Sequence, residues 1–105
     1  MMRIIVGKRT LEIFGHADYA PCGQDIVCAG ASALTFTLAS YLSDNREQFS
    51  KLDIKLDDPG ECLIFFEGTT ETAQAVFDSY IKGYEMLAER YPENIIITKI
   101  NEIAR

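Results

Sequence analysis

The stretch Thr10-Leu11-Glu12-Ile13-Phe14-Gly15-His16-Ala17, carried on to Asp25-Ile26-Val27-Cys28-Ala29-Gly30-Ala31-Ser32-Ala33, changes its hydrophobic period partway. Thr10 to Phe14 is a short β-prone run, and Gly15 ends it. His16 to Gln24 holds Pro21, Gly23 and several polar residues with neither a strand nor a helix period, so it reads as a loop with His16 at its root. From Asp25 onward, Val27, Ala31, Leu34, Leu38 and Tyr41 or Leu42 recur at intervals of four and three. That is the stripe of a helix packed on a core, with Asp25 as its N-cap.

Outward from this strand, loop and helix, Arg3 to Val6 and Thr10 to Phe14 flank Gly7-Lys8-Arg9 and read as a hairpin. The polar stretch Ser43 to Ser50 closes the first helix. Leu52 to Leu56 and Cys62 to Glu67 form a second hairpin around Asp57-Asp58-Pro59-Gly60. Thr69-Thr70-Glu71 starts a second helix whose apolar face runs through Ala73, Val76, Phe77, Tyr80, Tyr84, Leu87 and Tyr91, until Pro92 stops it. Asn94 to Ile100 contains Ile95-Ile96-Ile97, a strand that such a run would cover on both faces or place in a dimer interface. The order is β-β-α-β-β-α-β. Burial is met most simply by an α+β two-layer sandwich with both helices on one face of a mixed, mostly antiparallel sheet. The other face then needs cover, which predicts a homodimer.

The 105 residues, 48% apolar and 25% charged, suit a single domain over residues 1–105. A net charge of −6 opposes a phosphate backbone, so nucleic acid is not an expected partner. No run of about 18 consecutive apolar residues suggests a membrane span, and the N-terminal apolar stretch is too short for a signal peptide. A cytoplasmic location is expected. Cys22, Cys28 and Cys62 are an odd number of cysteines, so reduced thiols are the default.

If the helix starts at Asp25, Cys28 lies in its first turn, where free N–H groups and the dipole would lower the thiol pKa. Asp25, Cys28 and Ser32 share one side of the helix beside the core stripe, which lets Cys28 face a cleft. Gly30, an interior helix glycine, suggests close approach of something, for instance a substrate backbone. Attack of a cysteine on a peptide carbonyl needs a thiolate, a proton donor for the leaving amine and donors for the oxyanion. Cys28, His16 and first-turn N–H groups answer these needs. Asp25 either orients His16 or caps the helix, with capping favoured; Ser32 is a packing residue or a minor substrate contact. A structural reading stands beside this one, because a free cysteine is often a small buried hydrophobe and a lone histidine a surface residue. A zinc site from His16, Cys22 and Cys28 fits no common ligand spacing, so no metal or other cofactor is expected. Cys62 reads as inert packing and Cys22 as a candidate redox-sensitive thiol.

Gly15-His16-Ala17, a glycine-containing loop and Asp25-Ile26-Val27-Cys28-Ala29 together resemble the ribosomal-processing cysteine protease family Prp, across essentially the whole chain. The resemblance implies a His/Cys dyad at His16 and Cys28, and a loop from Gly15 through Gly23 that closes over bound peptide. It also implies a homodimer. The substrate it implies is the N-terminal peptide of large-subunit ribosomal protein twenty-seven, cut after paired aromatic residues and before alanine, or a phage structural protein with a similar site. Cys22 is outside the family's motif. Two other readings remain at this point: a non-catalytic ribosome-assembly module that holds a peptide with the same loop, and redox sensing by Cys28 with Cys22.

Overall fold

The structure is a computed structural model that describes residues 1–21, 23–57 and 60–100. Its elements are β1 (Met2–Val6), β2 (Thr10–Phe14), α1 (Ile26–Asp44), a 3-10 turn (Arg46–Gln48), β3 (Phe49–Asp57), β4 (Glu61–Thr69), α2 (Glu71–Arg90) and β5 (Ile95–Lys99). The expected α+β sandwich of two helices on a mixed sheet is present, with strand order β3-β4-β2-β1-β5. Three pairings are antiparallel and β1–β5 is parallel.

This pairing makes β3 parallel to β2, and β5 parallel to β4. The connections through α1 and α2 are therefore crossovers that travel in opposite directions along the sheet from oppositely directed strands. Crossovers of one hand then put both helices on one face. That face holds the core: Ile4, Leu11, Ile64 and Phe66 of the sheet pack with Val27, Leu38 and Leu42 of α1 and Phe77 and Tyr84 of α2. Burial of each of these large side chains contributes about 1.5–3 kcal/mol.

The α1 stripe includes a residue that hydrophobic periodicity passes over. Thr35 is buried, donating to Ala31 O at 2.8 Å and sharing a 2.6 Å hydrogen bond with the Tyr84 hydroxyl, which satisfies both groups between the helices. Gly30 faces α2, where a Cβ would make ordinary contact with Leu87 at 3.7 Å. The close approach read from this glycine is therefore made by the second helix rather than by substrate.

β3 and β4 are nine residues each, longer than the sequence runs suggest. The register continues out to Phe49↔Thr69, and Phe49 packs on Phe66 with ring centroids 5.2 Å apart, so polar residues between them are carried along the ladder. In β5, Ile95 is buried, Ile97 half-buried and Ile96 exposed, an alternation that leaves one face uncovered within this chain. On that open side Ile5, Glu12, Leu63 and Lys55 lie side by side across four strands, and Phe14 and Leu63 are exposed.

Candidate active site

The end of β2, the starts of β1, β4 and β5, the first turn of α1 and the last turn of α2 gather at one end of the sheet. Gly15 leads the chain out of β2 and His16 follows it, exposed. Ala17 is fully buried, and its N–H points at Cys28 Sγ, 3.2 Å away. Across from His16 stands Gly60, where a Cβ would lie 2.9 Å from Gly15 O and 3.2 Å from His16 Nε2. The ring thus packs on the turn that leads into β4.

Asp25 caps α1. Its Oδ1 accepts from Cys28 N at 2.9 Å and its Oδ2 from Tyr19 N at 3.0 Å, so the carboxylate both starts the helix and gathers the loop onto it. The Tyr19 ring meets Tyr91 edge-on at 5.3 Å, and Asn94 Nδ2 donates to Ala17 O at 2.9 Å. Burial pushes the Asp25 carboxyl up, but the N–H groups of Cys28, Tyr19 and Ala20 outweigh it and hold the group below the usual carboxylate range.

Two grooves meet at His16, Cys28 and Ser32. One, of about 240 Å³, is mostly apolar, with Met2, Ile13, Ala31, Phe36, Leu56 and Cys62 among its walls and Asp57 and Glu61 at its rim. The other is wider, about 710 Å³, and runs under the loop past Asp18, Gly23, Gln24, Asp25 and Ile26. Ser32, one turn beyond Cys28, is exposed on the boundary between them, and Gly23 lines the wider groove. All six residues singled out from the sequence therefore gather around one site. Cys22 lies outside the described residues, as do Asp58 and Pro59 of the β3–β4 connection.

The electrostatics reverse one expectation. The Cys28 thiol is not lowered by the helix start but raised: burial pushes it up, the Ala17 N–H pulls it down, and the Asp25 charge beside it pushes it up again. The N-cap carboxylate takes the Cys28 N–H, so the positive end of the helix is already answered. The Ala29 N–H likewise goes to Asp25 O, at 3.0 Å. Two of the first-turn donors assigned to the oxyanion are thus in use. The N–H aimed at the sulfur is Ala17's, and nothing in an alanine side chain signals it beyond its place next to His16. Among the described residues no hydrogen bond joins His16 to Cys28, whose sulfur accepts from Ala17 N–H. Cys62, buried in the same wall, is pushed up to about 11 by burial and is inert by that measure.

A thiol in the first turn of a helix, with a histidine lining the same two grooves on an α+β sandwich, fits the class of cysteine proteases. The comparisons identify which: residues 4–96 match the family described as Cysteine protease Prp, and the chain belongs to that family. The ribosomal processing cysteine protease Prp of Staphylococcus aureus (strain Mu50 / ATCC 700699) is 34% identical over 92 residues, 85% of each chain. That of Bacillus subtilis (strain 168) is 29% identical over 88% of this chain and 86% of its own. Among solved structures, an essential ribosomal processing protease Prp from S. aureus, in complex with a covalently linked product peptide, superposes with a TM-score of 0.85. It is 27% identical and covers 95% of this chain and 100% of that one. A second S. aureus structure, with a substrate peptide, has a TM-score of 0.74 at 26% identity, with the same coverage of both chains. With the family established, the non-catalytic reading falls away.

Proposed function

We propose that Cys28 is the nucleophile and His16 its general acid/base, acting on the N-terminal extension of large-subunit ribosomal protein twenty-seven, or on a phage structural protein with a similar site. Cleavage falls after paired aromatic residues and before alanine. The observation that carries this reading is that Cys28 and His16 both line two adjoining grooves whose surfaces are mostly apolar.

In the reaction, His16 takes the proton from Cys28 Sγ, and the thiolate attacks the scissile carbonyl to give a tetrahedral oxyanion. Collapse breaks the C–N bond, with the imidazolium returning its proton to the departing amine. Water, deprotonated by His16, then hydrolyses the thioester and frees the thiol. The loop bearing Gly23, resting on Tyr91 and Asp25, is the part that moves over the peptide. Ser32, exposed where the two grooves adjoin, makes a minor contact to the substrate, and Asp25 acts by capping.

Mass spectrometry of a peptide carrying the aromatic-aromatic-alanine sequence tests the substrate. A single cut before alanine under reducing conditions is the expected result; cleavage elsewhere, or of apolar peptides without regard to sequence, sinks the substrate assignment. The reading also includes a cytoplasmic homodimer, supported by Phe14, Leu63 and Ile96 exposed on the open face of the sheet. Light scattering should give twice the chain mass of 11.8 kDa, and a monomeric mass defeats it.

A further inference from the structure

The Ala17 N–H reaches Cys28 Sγ, yet a loop residue between Gly15 and Asp25 has no ladder of its own to hold it. What fixes it comes from far along the chain, 77 residues on. Asn94, in the connection from α2 to β5, donates from Nδ2 to Ala17 O at 2.9 Å, and Ala17 N donates to Cys28 Sγ at 3.2 Å. Asn94 is itself held at both backbone groups: its N–H donates to Tyr91 O at 3.0 Å, and its carbonyl accepts from Met2 N at 2.8 Å. A short, rigid side chain on a doubly fixed backbone thus reaches a buried residue whose other polar group touches the sulfur, and whose preceding neighbour is His16.

We infer that Asn94 is a positioning residue of the protease: its amide fixes Ala17, so that the Ala17 N–H is aimed at Cys28 Sγ and His16 is held at the meeting of the two grooves. This rests on the reading of Cys28 as nucleophile. The Ala17 N–H is the strongest influence favouring the thiolate, against burial and the Asp25 charge. An N–H freed to turn away withdraws that help, and a displaced His16 root lengthens the path for the proton. Misplacement of reacting groups by about 1 Å costs on the order of 100-fold in rate.

Asn94→Asp and Asn94→Ala together test this. The first keeps the shape but has no N–H for the Ala17 carbonyl, and the second removes the donor without adding charge. The rate at which iodoacetamide alkylates Cys28, resolved from the other thiols by mass, is followed against pH in the folded proteins, beside kcat, KM and melting temperature. In both variants the midpoint of the alkylation profile should rise by about one pH unit. The value of kcat should fall at least roughly tenfold, with KM within about threefold of wild type. A wild-type midpoint and kcat in the alanine variant, whatever happens to its melting temperature, overturns the inference and leaves Asn94 as a brace for β5. If Asn94→Asp does not fold, Asn94→Ala alone decides. If Asn94→Ala does not fold, Asn94→Leu, which fills the space without a donor, decides by the same midpoint. Because alkylation reads the sulfur without any peptide, a failure here is distinct from failure of the nucleophile assignment, which would appear as continued cleavage by Cys28→Ala.

Discussion

Cys28→Ala should lower peptide cleavage to the uncatalysed background, and His16→Ala should lower it by roughly 10²–10⁴-fold, with both proteins still folded. The two effects differ because the residues do different work. Without Sγ no thioester forms, whereas without the imidazole a protonated thiol must lose its proton to water, and the amine departs unaided. Folding is spared because neither side chain holds the core together: His16 is exposed, and Cys28 is half-buried at the margin of the cluster. Truncation of Cys28 removes one sulfur atom and one N–H···S contact, a cost of about 1 kcal/mol. Thermal melting and circular dichroism check the fold, and mass spectrometry of the peptide checks activity; residual wild-type-like cleavage in either variant breaks the dyad. The raised thiol adds a signature in pH. Alkylation of Cys28 in the free wild-type protein should keep rising with pH past the ordinary thiol value rather than level off near neutrality, since burial and Asp25 both favour the protonated form. Cys62 should stay unmodified until the protein unfolds.

What the chain declares about itself divides along the range of the interactions involved. Period and capping are local, so α1 beginning at Asp25 and α2 ending before Pro92 are readable to within a residue or two. The Gly15-His16-Ala17 and Asp25 to Cys28 segments likewise bring His16 and Cys28 to the same two grooves, because the loop between them is short and both ends are fixed by regular structure. The ends of β3 and β4 escape because a ladder extends as long as its partner does, whatever the local polarity. Thr35 escapes because its partner, the Tyr84 hydroxyl, lies 49 residues away. The sign of the thiol shift escapes for a related reason. Asp25 is correctly legible as a cap, but a charged cap that takes the Cys28 N–H spends the helix end on itself, and only the folded geometry shows which effect wins. Asn94 and Gly60 act on the site through distant contacts with a backbone carbonyl and an imidazole edge, which no spacing rule encodes.

Gly60 carries the second large effect. Its φ is +74°, and a Cβ there would sit 2.9 Å from the carbonyl oxygen of Gly15 and 3.2 Å from His16 Nε2. The first obstacle is backbone and cannot swing aside, so Gly60→Ala must shift the entry to β4 or push residues 15 and 16 outward. Either response moves the imidazole relative to Cys28. The expected result is a stability loss of about 1–3 kcal/mol, with a fall in kcat of roughly 10–100-fold. Gly68 separates the two consequences. It also has positive φ, +58°, and a Cβ there would collide with the Ser50 hydroxyl, but it lines a groove with Lys8, Arg9 and Thr70, away from His16 and Cys28. Gly68→Ala should therefore destabilise to a similar degree while kcat, measured well below its melting temperature, stays near wild type. If the two variants lose activity in proportion to their loss of stability, the contact between Gly60 and His16 has no catalytic consequence. If only Gly60→Ala loses kcat, the β3–β4 hairpin is part of what holds the general acid/base in place, and the site draws on both hairpins as well as on α1.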